Sequence, residues 1–300
     1  MNGPNSSEIL RRFENLNVWR QGDQRAPHKP LLVLLALGLL TRDIRTVPFV
    51  EYESALTDLL REFGPQRRTY YPELPFLHLR SDGVWRVTLD GADDAFTLKV
   101  QLSKTQLREL NATGCFPDDV QQFFATDQRH VATVGRLMLD THFPASVHGD
   151  ILDAVGLSLD DLSMPTTQRR NPKFRGEVLT AYQYRCALCN LDVRIGNLPV
   201  GLEAAHIQWH QAKGPDVVAN GIALCCLHHK LFDLGAFTLG EHRRILISDQ
   251  AYGSPQQFEH ILLRHHGHQL NAPVHAEDHP SSQFVGWHRA QVFKGRARPL

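Results

Sequence analysis

Cysteine is scarce in this sequence, which has five cysteines among 300 residues. That number is too small for the disulfide framework of a small secreted protein. Long apolar runs are missing too: the longest, residues 31–40, falls well short of the roughly 20 residues that a membrane-spanning helix needs. The first residues also lack the basic stretch and apolar core of a secretory signal. We therefore expect no membrane span and a protein that stays inside the cell.

Net charge is absent as well, since 32 basic side chains balance 32 acidic ones. Total charge therefore does not indicate a nucleic-acid-binding protein. The two parts of the chain differ, however: residues 1–165 hold 17 basic and 22 acidic side chains (net −5), and residues 166–300 hold 15 and 10 (net +5). Twelve of the 17 histidines also lie in the second part. Phosphate would be attracted to this second part if its charges share a face.

A polar stretch with two prolines, residues 158–174, is the best candidate for a linker. It predicts an N-terminal domain over residues 1–165 and a C-terminal domain over residues 166–300. Apolar spacing predicts that the first domain is mainly helical, with helices in 9–16, 31–40, 50–63, 121–143 and 150–157, and a hairpin in 76–87. In the second domain it predicts helices in 174–184, 228–234 and 287–293, short apolar stretches at 202–207 and 221–225, and a hairpin in 236–247. The fold class is therefore α+β.

Four of the five cysteines lie between residues 186 and 226. Cys186 and Cys189 form a C-x-x-C pair, and Cys225 with His228 forms C-x-x-H. Zn²⁺ prefers four tetrahedral thiolate or imidazole ligands, and a two-residue gap lets both members of a pair reach one ion. These four residues are the predicted structural zinc ligands. Cys226 is a rival for the third position, and four buried cysteines without a metal are the alternative.

Three strings surround these cysteines: Glu203-Ala204-Ala205-His206, Asn220-Gly221 and His229-Lys230-Leu231-Phe232-Asp233. Over residues 172–247 this order resembles the HNH nuclease family, which implies a ββα-metal core, a zinc knuckle and one catalytic divalent ion, Mg²⁺ or Mn²⁺. In that resemblance His206 is the general base, Asn220 orients His206 or braces the loop, and His229 ligates the ion. Ala205 departs from the pattern, because many HNH enzymes have a metal-binding Asp there. Glu203 and Asp233 are the candidates to replace it.

The N-terminal part contains two further strings, residues 26–32 (Ala-Pro-His-Lys-Pro-Leu-Leu) and 67–76 (Arg-Arg-Thr-Tyr-Tyr-Pro-Glu-Leu-Pro-Phe). They resemble the DNA sulfur-binding domain of phosphorothioate-dependent, type IV (Mcr-like) restriction endonucleases. Sulfur is a poorer hydrogen-bond acceptor than oxygen, so a cup of ring faces from Tyr71, Pro72 and Pro75 would reject an oxygen whose hydrogen bonds go unreplaced. The cations expected to hold the DNA backbone beside this cup are Arg25, His28, Lys29, Arg67, Arg68 and Arg80.

Together these resemblances predict a prokaryotic, cytoplasmic restriction endonuclease that binds double-stranded phosphorothioate DNA and cuts nearby. Cutting both strands needs two active sites, which predicts a homodimer. Two alternatives remain open: an HNH enzyme that reads another mark, such as methylated cytosine, and a modification sensor that binds DNA without cutting it. The remaining C-terminal histidines, His210 among them, are expected at the surface without a metal-binding role.

Overall fold

The structure is a computed structural model that describes residues 6–19, 23–91, 101–159 and 172–300. It divides into two compact units, Met1–Thr166 and Thr167–Leu300. Most of the predicted linker, and the predicted boundary near residue 165, lie outside the described residues. Within the described ranges, no helix has the length and apolar character that crossing a membrane requires.

The first unit is mainly helical, as the sequence predicts. Its helices are α1 (Ser6–Glu14), α2 (His28–Leu40), α3 (Phe49–Phe63), α4 (Glu73–His78), α5 (Lys104–Glu109), α6 (Asp118–Thr126), α7 (Arg129–His142) and α8 (His148–Val155). Its strands are β1 (Thr46–Pro48), β2 (Arg86–Thr88) and β3 (Thr113–Cys115), which form an antiparallel sheet in the order β1-β3-β2. The small β element is therefore built from three separate parts of the chain.

Helix α2 is the centre of this unit. It is apolar on all sides and is buried along almost its whole length, which is typical of a helix surrounded by other elements. Pro30 lies in its first turn, where the missing backbone N–H costs nothing. It packs against α3, α4, α7 and α8. Gly38 permits the close contact between α2 and α8, since a Cβ at this position would lie 2.1 Å from the carbonyl oxygen of Val155 in α8.

Two sequence predictions in this unit are wrong. The predicted hairpin over residues 76–87 is instead the end of α4, a 3-10 turn (Leu79–Asp82) and β2, which pairs with the distant β3. The string Ser81-Asp82-Gly83 ends a helix and does not form a hairpin turn. Gly83 takes the left-handed conformation (φ 70°), which occurs at helix ends as well as in hairpin turns. The predicted helix over 121–143 is two helices, α6 and α7, separated at Asp127, whose carboxylate accepts a hydrogen bond from the Arg129 amide.

The second unit has a ββα centre. Its helices are α9 (Pro172–Ala181), α10 (Cys226–Asp233), α11 (Pro255–Ile261) and α12 (Ser282–Gln291). Its strands form three antiparallel pairs: β4 (Arg194–Ile195) with β5 (Leu198–Pro199), β6 (Leu202–His206) with β7 (Gly221–Cys225), and β8 (Phe237–Leu239) with β9 (Ile245–Ile247). The two predicted apolar stretches are β6 and β7, and the predicted hairpin in 236–247 is confirmed as β8–β9. The last helix begins at Ser282, ahead of the predicted residue 287.

Candidate metal and nuclease site

The first candidate metal site joins two turns of the second unit. The ligand atoms of Cys186, Cys189, Cys225 and His228 all lie within 4.8 Å of one another. The turn that carries the first two cysteines is attached to β7, because the Ala187 amide donates a hydrogen bond to the Ala223 carbonyl oxygen (2.7 Å). Cys225 ends β7, and His228 lies in the first turn of α10. The four residues predicted from their spacing therefore form one cluster.

The donor set of this cluster suits Zn²⁺, which favours thiolate and imidazole ligands. His228 directs Nδ1 toward the cluster, 3.1 Å from the Cys225 sulfur, and its Nε2 donates to the Ile261 carbonyl oxygen (3.0 Å). A backbone acceptor on the far nitrogen is the usual way to fix the tautomer of a metal-binding histidine. Burial lowers the pKa of His228, but hydrogen bonds with Cys186 and Cys225 outweigh burial and raise it to about 10. Cys226 is exposed and lies outside the cluster.

His229, the next residue of α10, lies between two carboxylates. Its Nδ1 is 2.6 Å from Glu203 Oε2 on β6, and its Nε2 is 3.1 Å from Asp233 Oδ2 one helical turn further along α10. The Trp209 indole N–H donates to the other oxygen of Asp233 (3.0 Å). Burial lowers the pKa of His229, but Asp233 and then Glu203 outweigh it and raise the pKa to about 9. Because Asp233 is itself held by Trp209, the contact between Asp233 and Nε2 fixes the orientation of the His229 ring.

The residues around His229 fit a divalent ion. Glu203 Oε2 lies beside His229 Nδ1, so the pair offers one oxygen and one nitrogen to an ion, and the Glu203 side chain is 35% exposed. Asp233 holds the opposite nitrogen, the position of the carboxylate that commonly orients a metal-binding histidine. Ala205 is buried against β7 and has no ligand atom. The two residues predicted to replace the missing metal-binding Asp therefore lie in different places. Glu203 is beside His229 Nδ1, whereas Asp233 contacts Nε2 on the opposite side of the ring.

His206 ends β6 and belongs to the second group of potential ligands in the described part of the chain, with His210 and Asp216. Its Nε2 lies 2.9 Å from Asp216 Oδ1, and its ring stacks on Phe174 with centroids 4.0 Å apart. Burial lowers the pKa of His206, and Asp216 opposes that shift. The net lowering of the pKa favours the neutral imidazole that a general base needs. Asp216 was not predicted from the sequence, because it matches no spacing rule.

Asn220 is fully buried at the start of β7. Its side-chain oxygen accepts from the Gln208 amide (2.8 Å), and its side-chain N–H₂ donates to the carbonyl oxygens of Gln208 and Pro215 (both 3.0 Å). These bonds close the base of loop 207–219. Of the two roles that the resemblance implies, the geometry matches the brace of the loop and not the direct orientation of His206.

In the first unit, some of the predicted DNA-binding residues are accessible. Arg67 and Arg68 are exposed, and the Tyr71 side chain is 48% exposed. Burial, and then the charge of Arg67, lower the pKa of His28, which favours the neutral imidazole over the cation that the sequence predicts at this position. Lys104, which no sequence pattern indicated, places its ammonium group 5.9 Å from the Tyr71 ring centre and donates to the Tyr70 carbonyl oxygen (2.9 Å).

The other predicted cations are engaged within the protein. Lys29 forms an ion pair with Asp82 (2.6 Å) in which the two side chains are 10% and 3% exposed. Arg25 is buried and donates to the Phe63 carbonyl oxygen (2.6 Å). Arg80 is half-buried, and burial lowers its pKa. Asp82 therefore binds the Lys29 ammonium group within the protein, and the contact of Lys29 with DNA stays a prediction.

The predicted cup of three rings is also only partly formed. Pro72 and Pro75 are buried, because α4 begins here and its first turn packs against the core. Only Tyr71 of the three presents much of its ring to solvent. The helix accounts for the difference, since a Tyr-Tyr-Pro-x-x-Pro string is compatible with both a surface cup and a capped helix.

The ββα core, the Cys₃His cluster and an imidazole at the end of β6 define the nuclease class of metal-binding proteins that the HNH enzymes represent. A family model for "HNH endonuclease" matches residues 186–240. A family model for "ScoMcrA-like, DNA sulfur-binding domain" matches residues 6–160, just over half of the chain. The chain therefore belongs to the ScoMcrA-like DNA sulfur-binding domain family, and it carries an HNH endonuclease domain after that domain.

Solved structures that match part of the chain include two sulfur-binding domains complexed with phosphorothioated DNA. That of SprMcrA is 21% identical and covers 53% of this chain and 96% of its own, with a TM-score of 0.44. That of ScoMcrA is 20% identical and covers 51% and 96%, with a TM-score of 0.40. The type IV phosphorothioation-dependent restriction endonuclease ScoMcrA is 20% identical over 52% of this chain and 35% of its own, with a TM-score of 0.39. No curated protein matches the chain.

Proposed function

We propose that this protein is a restriction endonuclease that binds phosphorothioate-modified double-stranded DNA through residues 1–165 and hydrolyses phosphodiester bonds nearby through residues 166–300. The observation that carries the proposal is the match of one chain to both a DNA sulfur-binding domain and an HNH endonuclease. Restriction acts on DNA that has entered the cell, so the enzyme acts in the cytoplasm of a prokaryote. Two strands require two active sites, so it acts as a homodimer.

The hydrolytic site consists of His206 on β6 and of Glu203 with His229. The neutral His206 imidazole takes a proton from water as the water oxygen bonds to phosphorus and the bond from phosphorus to the 3′-oxygen breaks. Glu203 and His229 would hold Mg²⁺ or Mn²⁺, which neutralises charge on the phosphate and on the leaving oxygen. The products are a 3′-hydroxyl, which receives its proton from solvent, and a 5′-phosphate. Zn²⁺ bound by the Cys₃His cluster would hold β7 and α10 together.

The sulfur atom would be bound at the exposed surface of Tyr71. Sulfur accepts hydrogen bonds poorly, so contact with a ring costs it less than it costs oxygen, for which an unreplaced hydrogen bond costs about 1 to 3 kcal/mol. Lys104 lies beside the Tyr71 ring, and the exposed Arg67 and Arg68 precede Tyr71 by four and three residues in the sequence; these three cations would supply the contacts to the backbone phosphates.

Three duplexes of one sequence test the proposal: one with a phosphorothioate, one with an ordinary backbone, and one methylated at cytosine. We expect the zinc-loaded protein to bind and, with Mn²⁺ or Mg²⁺, to cut only the first. Tyr71→Ala should reduce that binding, and Tyr252→Ala is the matched control, because Tyr252 is 92% exposed in the other unit. His206→Ala should bind and not cut.

The outcomes separate the alternatives. Equal binding of sulfur and oxygen backbones would refute recognition of sulfur. Preference for the methylated duplex would support the enzyme that reads another mark. Selective binding of the phosphorothioate without metal-dependent cutting would make the protein a modification sensor.

A further inference from the structure

Loop 207–219, between β6 and β7, brings a carboxylate to the nuclease site. Asp216 Oδ1 lies 2.9 Å from His206 Nε2, and both side chains are mostly buried. The contact joins residues ten positions apart, and no family string in the sequence includes Asp216. A carboxylate at this distance accepts the Nε2–H hydrogen bond and leaves Nδ1 as the unprotonated nitrogen.

The position of Asp216 is determined by a braced backbone. Asn220 donates its side-chain N–H₂ to the carbonyl oxygen of Pro215, the residue directly before Asp216. Gly214 packs so closely that a Cβ there would lie 1.8 Å from the Gln208 carbonyl oxygen. These two contacts restrain the turn directly before Asp216, so the Asn220 brace helps to present the Asp216 carboxylate to His206.

A second contact, on the flat face of the imidazole, also restrains the His206 ring. The Phe174 ring stacks on it with centroids 4.0 Å apart and an angle of 19° between the planes. Stacking restrains the tilt of the imidazole, and the hydrogen bond to Asp216 restrains its rotation within that plane. Two contacts from α9 and from loop 207–219 thus leave one orientation for the ring.

We propose that Asp216 is a positioning residue that holds His206 in the tautomer and orientation a general base needs. The inference rests on the proposed function, in which His206 activates water. When His206 takes a proton it becomes an imidazolium, and the neighbouring carboxylate stabilises that charge without accepting the proton itself. Asp216 thereby assists the step in which charge develops on the ring.

The other charged groups that face His206 do not replace Asp216. Asp233 raises the pKa of His206 from a greater distance and already binds His229 and Trp209. His210 lowers that pKa, but its side chain is 71% exposed and its Nδ1 is 3.8 Å from Asp216, beyond hydrogen-bond distance. His206, His210 and Asp216 could also share an ion. The direct contact between His206 and Asp216 favours positioning over that arrangement.

The test compares Asp216→Asn and Asp216→Glu with Glu259→Gln in the zinc-loaded full-length protein. Glu259 is an exposed carboxylate on α11 and is the matched control. The ¹⁵N chemical shifts of the histidine rings, with His206 assigned from a His206→Gln sample, report the tautomer and the pKa of His206. Single-turnover cutting of phosphorothioate DNA from pH 5 to 9, together with DNA affinity, reports the consequence for the reaction. Titration with Mn²⁺ counts the bound ions.

We expect Asp216→Asn to mix the two tautomers of His206 and to lower its pKa, because the raising influence of the carboxylate is lost. The cutting rate should fall by about 10- to 100-fold with unchanged DNA affinity, and its acid limb should move to lower pH. Asp216→Glu should recover part of the rate, and Glu259→Gln should behave as the wild type.

Unchanged ¹⁵N shifts and pKa of His206 in Asp216→Asn would overturn the inference. Loss of one Mn²⁺ in Asp216→Asn would also overturn it, in favour of an ion shared with His210. Because the ring shifts are measured without cutting, a wild-type protein that does not cleave DNA would refute the proposed function while the contact with Asp216 is still tested.

Discussion

At the residue scale, burial separates two kinds of basic side chain in the first unit. Lys29 and Asp82 form an ion pair that is almost closed to solvent, whereas Arg67 and Arg68 are exposed. Removing one partner of a buried pair leaves an uncompensated charge, which is far more costly than losing a surface contact. Lys29 therefore stabilises the fold, and the exposed arginines are available to phosphate.

Lys29→Met should lower the free energy of unfolding of the first unit by about 3 kcal/mol, because Asp82 stays buried without its cation. Lys29→Met with Asp82→Leu should recover most of that loss. Urea denaturation followed by circular dichroism measures both. Arg68→Met is the control, with unchanged stability and weaker DNA binding; a Lys29→Met protein of wild-type stability would contradict the role given to the pair.

At the element scale, the Cys₃His cluster joins three segments: the turn after α9, the end of β7 and the first turn of α10. His229, a metal-ligand candidate, follows the cluster ligand His228 directly along α10. Loss of the structural ion would therefore disturb the helix that carries His229 as well as the fold of the second unit.

Neighbouring cysteines test this dependence. Cys225→Ala should lose bound zinc and lower the melting temperature of the second unit, because one of four ligands is missing. Cys226→Ala, one residue further, should retain both, since Cys226 is exposed and outside the cluster. Metal analysis and calorimetry measure the two effects, and equal zinc content in both variants would exclude Cys225 as a ligand.

The contact between α2 and α8 gives a second test with a matched control. Gly38→Ala places a Cβ 2.1 Å from the Val155 carbonyl oxygen, so the two helices must separate. We expect a loss of about 1 to 3 kcal/mol. Gly149→Ala in α8 meets nothing within 4 Å and should stabilise the helix by about 0.5 to 1 kcal/mol. Urea denaturation distinguishes them, and two variants of the same sign would contradict this packing.

At the scale of the whole molecule, the chain combines an acidic first part with a basic second part. The basic part, which contains the nuclease site, is the one whose attraction to DNA should weaken most with salt. In the proposed function, discrimination between sulfur and oxygen depends on desolvation at the first unit, so we expect it to change little with ionic strength.

A mixture of subunits tests the proposed homodimer. If each protomer cuts one strand, wild-type protein mixed with an excess of His206→Ala should produce nicked circles in place of linear DNA. The mixed dimer still binds the phosphorothioate site, but one of the two active sites of this dimer is inactive. Agarose electrophoresis of a plasmid with one modified site measures the ratio. Linear product in undiminished proportion at every mixing ratio would argue for a monomer that cuts both strands in turn.

The sequence by itself determined the features that depend on local spacing. The C-x-x-C and C-x-x-H pairs predicted the four residues of the Cys₃His cluster, because a two-residue gap already brings both ligands to one point. The continuous apolar run of α2 was likewise visible in the sequence, and so were the two apolar stretches that form β6 and β7. The strings that resemble the HNH family predicted His206 and His229 as site residues, and their roles stay predictions.

Only the tertiary structure decided which side chains meet across the chain. The pairing of β2 with β3, the burial of Lys29 by Asp82 and the contact of Asp216 with His206 join residues that no local pattern connects. The physical reason is that burial and hydrogen bonding between distant residues depend on how the elements pack, whereas spacing governs only residues within one turn or one strand.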